Sequence, residues 1–88
     1  MNIHIIRADG TEERVEAPFS EVRRLIGADC LDGFSLRDGR YVSVDDAGME
    51  KRLPVNTKAT DLYHGICRPG TTHQIRGDVA IVIDAEVA

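Results

Sequence analysis

The run Val79-Ala80-Ile81-Val82-Ile83 constrains the fold more than any other part of this chain. Successive side chains of a strand point to opposite faces, so a run that is apolar at every position needs cover on both sides. Such a strand belongs in the middle of a sheet, and the stretch Asn2 to Arg7 is a natural neighbour for it. The run is far shorter than the roughly 20 apolar residues needed to cross a bilayer, so no membrane partner is expected.

Two Asp-Gly pairs, Asp9-Gly10 and Asp38-Gly39, predict hairpins on the amino-terminal side of that strand. The first reads as a type I′ turn, in which both central residues take positive φ. Its second arm, Thr11 to Ala17, sets Glu12, Arg14 and Glu16 on one face and Glu13, Val15 and Ala17 on the other. So polar an arm suits a solvated edge strand. The second hairpin runs from Cys30 to Leu36, with Asp32-Gly33 as a bulge or a close backbone approach, and returns through Tyr41-Val42-Ser43-Val44. Asp45 to Gly48 turns the chain again.

Between the hairpins, Ser20 is the expected N-cap of a short helix whose stripe is Val22, Leu25 and Ile26 and whose end is Gly27 at the left-handed C′ position. Asn56 caps a second helix with Ala59, Leu62 and Tyr63 on one face ahead of Gly65. Arg68 to Thr72, with Pro69-Gly70, is an exposed loop. The order hairpin, helix, hairpin, helix, strand predicts an α+β fold, with a mixed or antiparallel sheet of about five strands and two short helices. The expected core is Ile3, Ile5, Val22, Leu25, Ile26, Leu36, Val42, Val44, Leu53, Leu62, Val79, Ile81 and Ile83. At 88 residues the chain makes one domain, 1–88, because a polypeptide of this size supports a single modest core.

Charge limits the partners. The net charge is −4, from 15 acidic and 11 basic residues, and neither sign forms a block, so counterion-driven binding to nucleic acid is not expected. Cys30 and Cys67 belong to no C-x-x-C pair, and Met1 to Arg7 is too short an apolar run for an export signal. A cytoplasmic location with both thiols free in the core is the corresponding expectation.

The common catalytic patterns are missing. His4, His64 and His73 lack the helical i, i+4 spacing of a zinc site, so neither a metal nor another cofactor is expected. Ser20 and Ser43 have no nucleophile-elbow context, and Cys30 and Cys67 adjoin apolar residues that keep a thiol inert. Asp45-Asp46 reads as a turn and does not match a calcium loop. No catalytic residue is assigned.

The segment Lys51 to Thr60 stands apart, because Arg52, Asn56, Thr57, Lys58 and Thr60 gather cations, hydroxyls and an amide at the start of the second helix. Free first-turn amides and the helix dipole favour an anion there, and a phosphate on a nucleotide-like ligand is the expected class. The plain alternative is a helix capped by Asn56 with solvated charges.

Leu25-Ile26-Gly27, Tyr41 to Gly48, Leu53-Pro54-Val55-Asn56-Thr57-Lys58-Ala59-Thr60-Asp61-Leu62 and Ile75 to Val82 together resemble a family of small uncharacterised proteins of bacteriophages and other mobile elements, catalogued as a domain of unknown function. The combination Leu-Pro-x-Asn-x-x-Ala with Ile-x-Gly-Asp carries the resemblance over most of the chain from residue 22 onward. Ala28-Asp29 departs from it, since many relatives have a second glycine there. The resemblance implies a phage-type accessory protein living in the bacterial host cytoplasm, and it supplies no residue roles.

The leading expectation is therefore a non-enzymatic protein that inhibits or sequesters by binding a host defence component or a phosphate-bearing ligand. An enzyme acting on a nucleotide, with His73 or Asp78 as acid–base group, is the alternative from a second class. A structural or regulatory protein pairing through the edge Thr11 to Ala17, for instance as a homodimer, is the third.

Overall fold

The computed structural model describes residues 1–83. The elements are β1 (Asn2–Ile6), β2 (Glu12–Glu16), α1 (Val22–Leu25), β3 (Leu31–Ser35), β4 (Arg40–Asp45), α2 (Thr57–His64) and β5 (Val79–Ile83). They form an α+β domain around one five-stranded sheet of order β2-β1-β5-β4-β3, antiparallel at every pairing. The expected central strand is where its composition demands. β5 joins the two hairpins, pairing Ile6 with Val79 on one side and Val42 with Ile81 on the other.

β5 is covered on both faces. Ala80 and Val82 pack with Ile3, Ile5, Val22, Ile26 and Ala28, so this face lies against α1. Val79 and Ile81 pack with Ile6, Leu36, Val42, Ala59 and Ile75, so the other lies against α2. Two thin helical layers thus flank the sheet, and the alternation along β5 divides the core between them.

Both hairpin turns differ from the type I′ expectation in one respect. Gly10 and Gly39 have φ of 93° and 90°, while neither aspartate before them is left-handed. The Gly10 amide donates to the Arg7 carbonyl at 3.0 Å and the Arg7 amide to the Thr11 carbonyl at 2.8 Å. This is a three-residue loop in which a type I turn is followed by a left-handed glycine. Asp9 keeps a negative φ and accepts from the Thr11 amide and hydroxyl at 2.9 and 2.7 Å.

Ser20 does not cap the first helix. It sits inside a 3₁₀ turn, Phe19–Glu21, that runs into the single turn of α1, and no side chain caps either piece. Pro18 sets the extended backbone that opens the turn. At the other end Gly27 has φ of 69°, and the Ala28 amide reaches back to the Arg23 carbonyl at 2.9 Å, a Schellman closure.

Asp32-Gly33 is a close approach and not a bulge, since the β3–β4 register is unbroken from Leu31 opposite Asp45 to Ser35 opposite Tyr41. A Cβ on Gly33 would collide with the Tyr41 hydroxyl and lie 2.6 Å from the Val42 carbonyl oxygen. The thiols also depart from expectation: Cys30 is exposed and Cys67 half-buried. Of the expected core, Leu25, Val44, Leu53 and Leu62 are half-buried and Ile83 is 52% exposed. Ala80 and Val82 are buried, as double cover of the central strand requires, and Ile6, Ala28, Ala59 and Ile75 join the core beyond the expected residues.

Candidate functional site

The start of α2 is built from residues whose polar groups face inward. Asn56 is buried, and its Oδ1 accepts the Ala59 amide at 3.1 Å, the predicted cap. Its Nδ2 donates to the Ile6 and Gly77 carbonyls, both at 3.0 Å. Thr60 is buried as well, and its hydroxyl accepts the Ile75 amide at 2.9 Å and donates to the Ile75 carbonyl at 3.3 Å. These two side chains fasten α2 to β1 and to residues 75–77.

The remaining predicted residues are at the surface. Lys58 donates to Gly10 O at 3.2 Å and pairs with Glu12, whose carboxyl this contact and the His4 ring hold below its usual pKa. Thr57 and Arg52 are exposed. Arg52 has φ of 56°, a left-handed backbone that a side chain adopts with strain, and no side-chain hydrogen bond ties it to Asn56, Thr57 or Lys58. The fold thus brings Asn56, Thr57, Lys58 and Thr60 together by helical sequence and joins Arg52 to them by no hydrogen bond. The Thr57 and Lys58 amides have no acceptor among the described residues.

A cleft of about 190 Å³ opens elsewhere on the α2 face, at the end of the β3–β4 hairpin. Asp32, Asp46, Met49, His73, Gln74 and Arg76 supply its exposed and half-exposed walls, and Val44, Asp45 and Ile75 its floor. Residues 75–77 are held over the sheet by a Val55–Arg76 bridge, by Asn56 N to Ile75 O at 2.8 Å and by Gly77 N to Pro54 O at 2.8 Å. Arg76 donates to the Leu53 carbonyl at 3.0 Å, and its Nε is buried with no partner among the described residues. Gly48 lets the turn run close to residue 76, since a Cβ there would lie 3.1 Å from the Arg76 carbonyl oxygen.

Asp45 anchors the cleft floor. Burial works against its charge, but the Lys51 ammonium at 2.8 Å and the Ala47 amide at 2.9 Å outweigh that and hold its carboxyl below the ordinary pKa. Beside the cleft, His73 meets the Tyr63 ring edge-on at 5.7 Å, and Tyr63 packs on Phe34 at 5.1 Å. The Tyr63 hydroxyl is pushed above its usual pKa, first by the neighbouring Cys67 side chain and then by burial.

His73 and Asp46 thus share a cleft, whereas Asp78 is remote from it in function. Asp78 accepts from Arg7 Nη1 at 2.8 Å and from the Ala8 amide at 2.9 Å, a brace across the β1–β5 junction. Sequence reasoning assigned no site to Asp32, Met49, Gln74 or Arg76, because three chain segments build this cleft and no local motif links them. Among the described residues no group of three or more His, Cys, Asp or Glu is placed to hold a metal ion, and no helix is long and apolar enough to cross a membrane. Comparison with protein-family models, with curated proteins and with solved structures finds no match.

Proposed function

We propose that the chain acts by binding and not by catalysis, as an accessory protein that captures a segment of a partner protein in the Asp32–Asp46–Arg76 cleft. The observation that carries this reading is the mixture of groups lining one open recess: carboxylates of Asp32 and Asp46, the amide of Gln74, the Arg76 guanidinium and a Met49 side chain 62% exposed at the rim. Acceptors and donors beside a flexible apolar side chain suit a peptide, which offers both kinds of polar group and an apolar stem. A phosphate would meet two carboxylates there. Sequestration of a host component by a mobile-element protein is compatible with this chemistry.

The test is capture of partner proteins from a bacterial lysate by the parent chain and by a Met49→Asp, Gln74→Ala double variant. Partners retained by the parent and lost by the variant support the cleft. Equal retention by both refutes it.

A second reading keeps the anion at the start of α2, favoured by the Thr57 and Lys58 amides, which have no acceptor among the described residues. Calorimetry with mono-, di- and cyclic nucleotides checks it, with Arg52→Ala expected to weaken binding by about ten- to a hundredfold. Absence of binding at sub-millimolar concentration, or an unaffected variant, removes this site.

A further inference from the structure

The two edges of the sheet are not equivalent. In the β1–β2 hairpin the Arg7 amide donates to Thr11 O and the Ala17 amide to Met1 O. Strand alternation therefore turns the backbone groups of Glu12, Arg14 and Glu16 outward. In the β3–β4 hairpin the Leu36 amide donates to Arg40 O and the Asp46 amide to Cys30 O. The outward groups of β3 are then those of Leu31, Gly33 and Ser35. Among the described residues no strand pairs with either edge.

Self-pairing distinguishes them. Two copies of β2 set antiparallel about Arg14 would place Arg14 against Arg14 and Glu12 against Glu16 twice, and like charges directly opposite are destabilising. β3 carries a single charge, Asp32, and its middle residue has no side chain. Set about Gly33, two copies would place Gly33 against Gly33, Leu31 against Ser35 and Asp32 against Phe34, with every outward amide facing an outward carbonyl. Asp29 and Arg37 flank Gly33 symmetrically, just beyond the strand ends. The same register brings Asp29 of each copy level with Arg37 of the other, two opposite-charge pairs.

We propose that β3 is the surface through which two copies of this chain associate, antiparallel about a two-fold axis at Gly33, so that their sheets become one. Phe34 lies on the α2 face and packs on Tyr63, so the two Phe34 rings become diagonal neighbours and the apolar cluster under α2 continues across the seam. Little stands against the pairing. The Gly33 amide must exchange the Asp32 carboxylate, now 2.8 Å away, for a backbone carbonyl. Asp29 is 83% exposed in its pair with Lys51, and Lys51 retains the buried Asp45 if that pair opens.

Sedimentation equilibrium of the full chain in reducing buffer, from about 1 μM to about 1 mM, reads the association directly. A concentration-dependent dimer is expected, unaffected by reductant, because this register separates the two Cys30 residues by about 20 Å. Ser35→Pro removes an outward amide while leaving the bonds to β4, and it should be monomeric with an unchanged circular dichroism spectrum. Asp29→Arg and Arg37→Glu, at positions outside the ladder, should each weaken the dimer by about tenfold. Mixing those two variants should restore it, because every cation then meets an acid. A parent that is monomeric throughout, a dimer that requires oxidation, or a dimer that survives Ser35→Pro overturns the proposal. Failure of the mixed charge variants to recover overturns the Gly33 register.

Discussion

The Asn56 side-chain amide donates to the Ile6 carbonyl at 3.0 Å, joining the first turn of α2 to a strand 50 residues earlier. The same amide reaches Gly77, and the side-chain oxygen caps the helix at Ala59. Asn56→Ala removes all three bonds inside a dry site, so a loss of about 2–4 kcal/mol is expected. Asn56→Asp keeps the cap acceptor but points a carboxylate oxygen at two carbonyls, and it should be no more stable than the alanine variant at neutral pH. Urea denaturation of the three proteins checks both statements.

Thr60 and Ile75 exchange two hydrogen bonds through one hydroxyl. Thr60→Val preserves shape and removes both, leaving the buried Ile75 amide without its acceptor while the Ile75 carbonyl keeps the Asn56 amide. A cost of about 1–3 kcal/mol is expected, with Thr60→Ser close to the parent. Thermal melts of the two variants measure the difference, and a valine variant as stable as the serine variant would show that the hydroxyl contributes nothing net.

Ile81 lies in the sheet centre under α2, while Leu25 is only half-buried against the other face. Ile81→Ala should cost about 2–5 kcal/mol, and Leu25→Ala distinctly less. Equal losses in denaturant titrations would contradict this ranking of the two layers.

Asp45 gives the fold a pH dependence of known sign. Burial opposes its charge, and Lys51 and the Ala47 amide more than compensate, so its folded pKa is below the ordinary value of about 3.9. Its contribution to stability is whole above that ordinary value and is lost as pH falls through the lower folded one. Asp45→Asn should therefore destabilise near neutrality and flatten the acid limb of a stability–pH curve. An acid limb as steep in the variant as in the parent would place the titrating group elsewhere.

The sheet was legible in the sequence to the extent that periodicity alone determines it. β5 is apolar at all five positions, which forces double cover, and the two Asp-Gly pairs locate the hairpins that flank it. The turn geometry was less legible, since Asp-Gly serves both a two-residue loop and the three-residue loop found here. Ser20 had the composition of a cap, but Pro18 takes the cap position of a 3₁₀ turn two residues earlier, so the Ser20 hydroxyl cannot serve. Ile83 repeats the pattern of β5 and is nonetheless exposed opposite Arg40, because α2 does not extend over that end of the sheet.

The site was less legible than the fold. Asn56 and Thr60 have the chemistry of ligand contacts, and what their position adds is burial, which commits them to carbonyls and amides of distant segments. The β3–β4 pairing brings Asp32 near Asp46, and Gln74 and Arg76 join them only because residues 75–77 bridge to residues 54–56. A long-range bridge of that kind has no period or motif by which sequence could announce it.

The position of β5 between the two hairpins makes the protein divisible in a particular way. Each hairpin closes over a short loop, but no strand of one bonds to a strand of the other except through Val79–Ile83. A chain cleaved in the exposed 68–72 loop would leave two hairpins lacking a shared ladder, and the fragment from residue 73 onward would carry what unites them. Recovery of structure on mixing the two fragments would be fragment complementation, with the smaller piece serving as a keystone strand. Because that strand contributes to both core layers at once, neither layer could recover before the other, and a single cooperative transition should accompany its insertion.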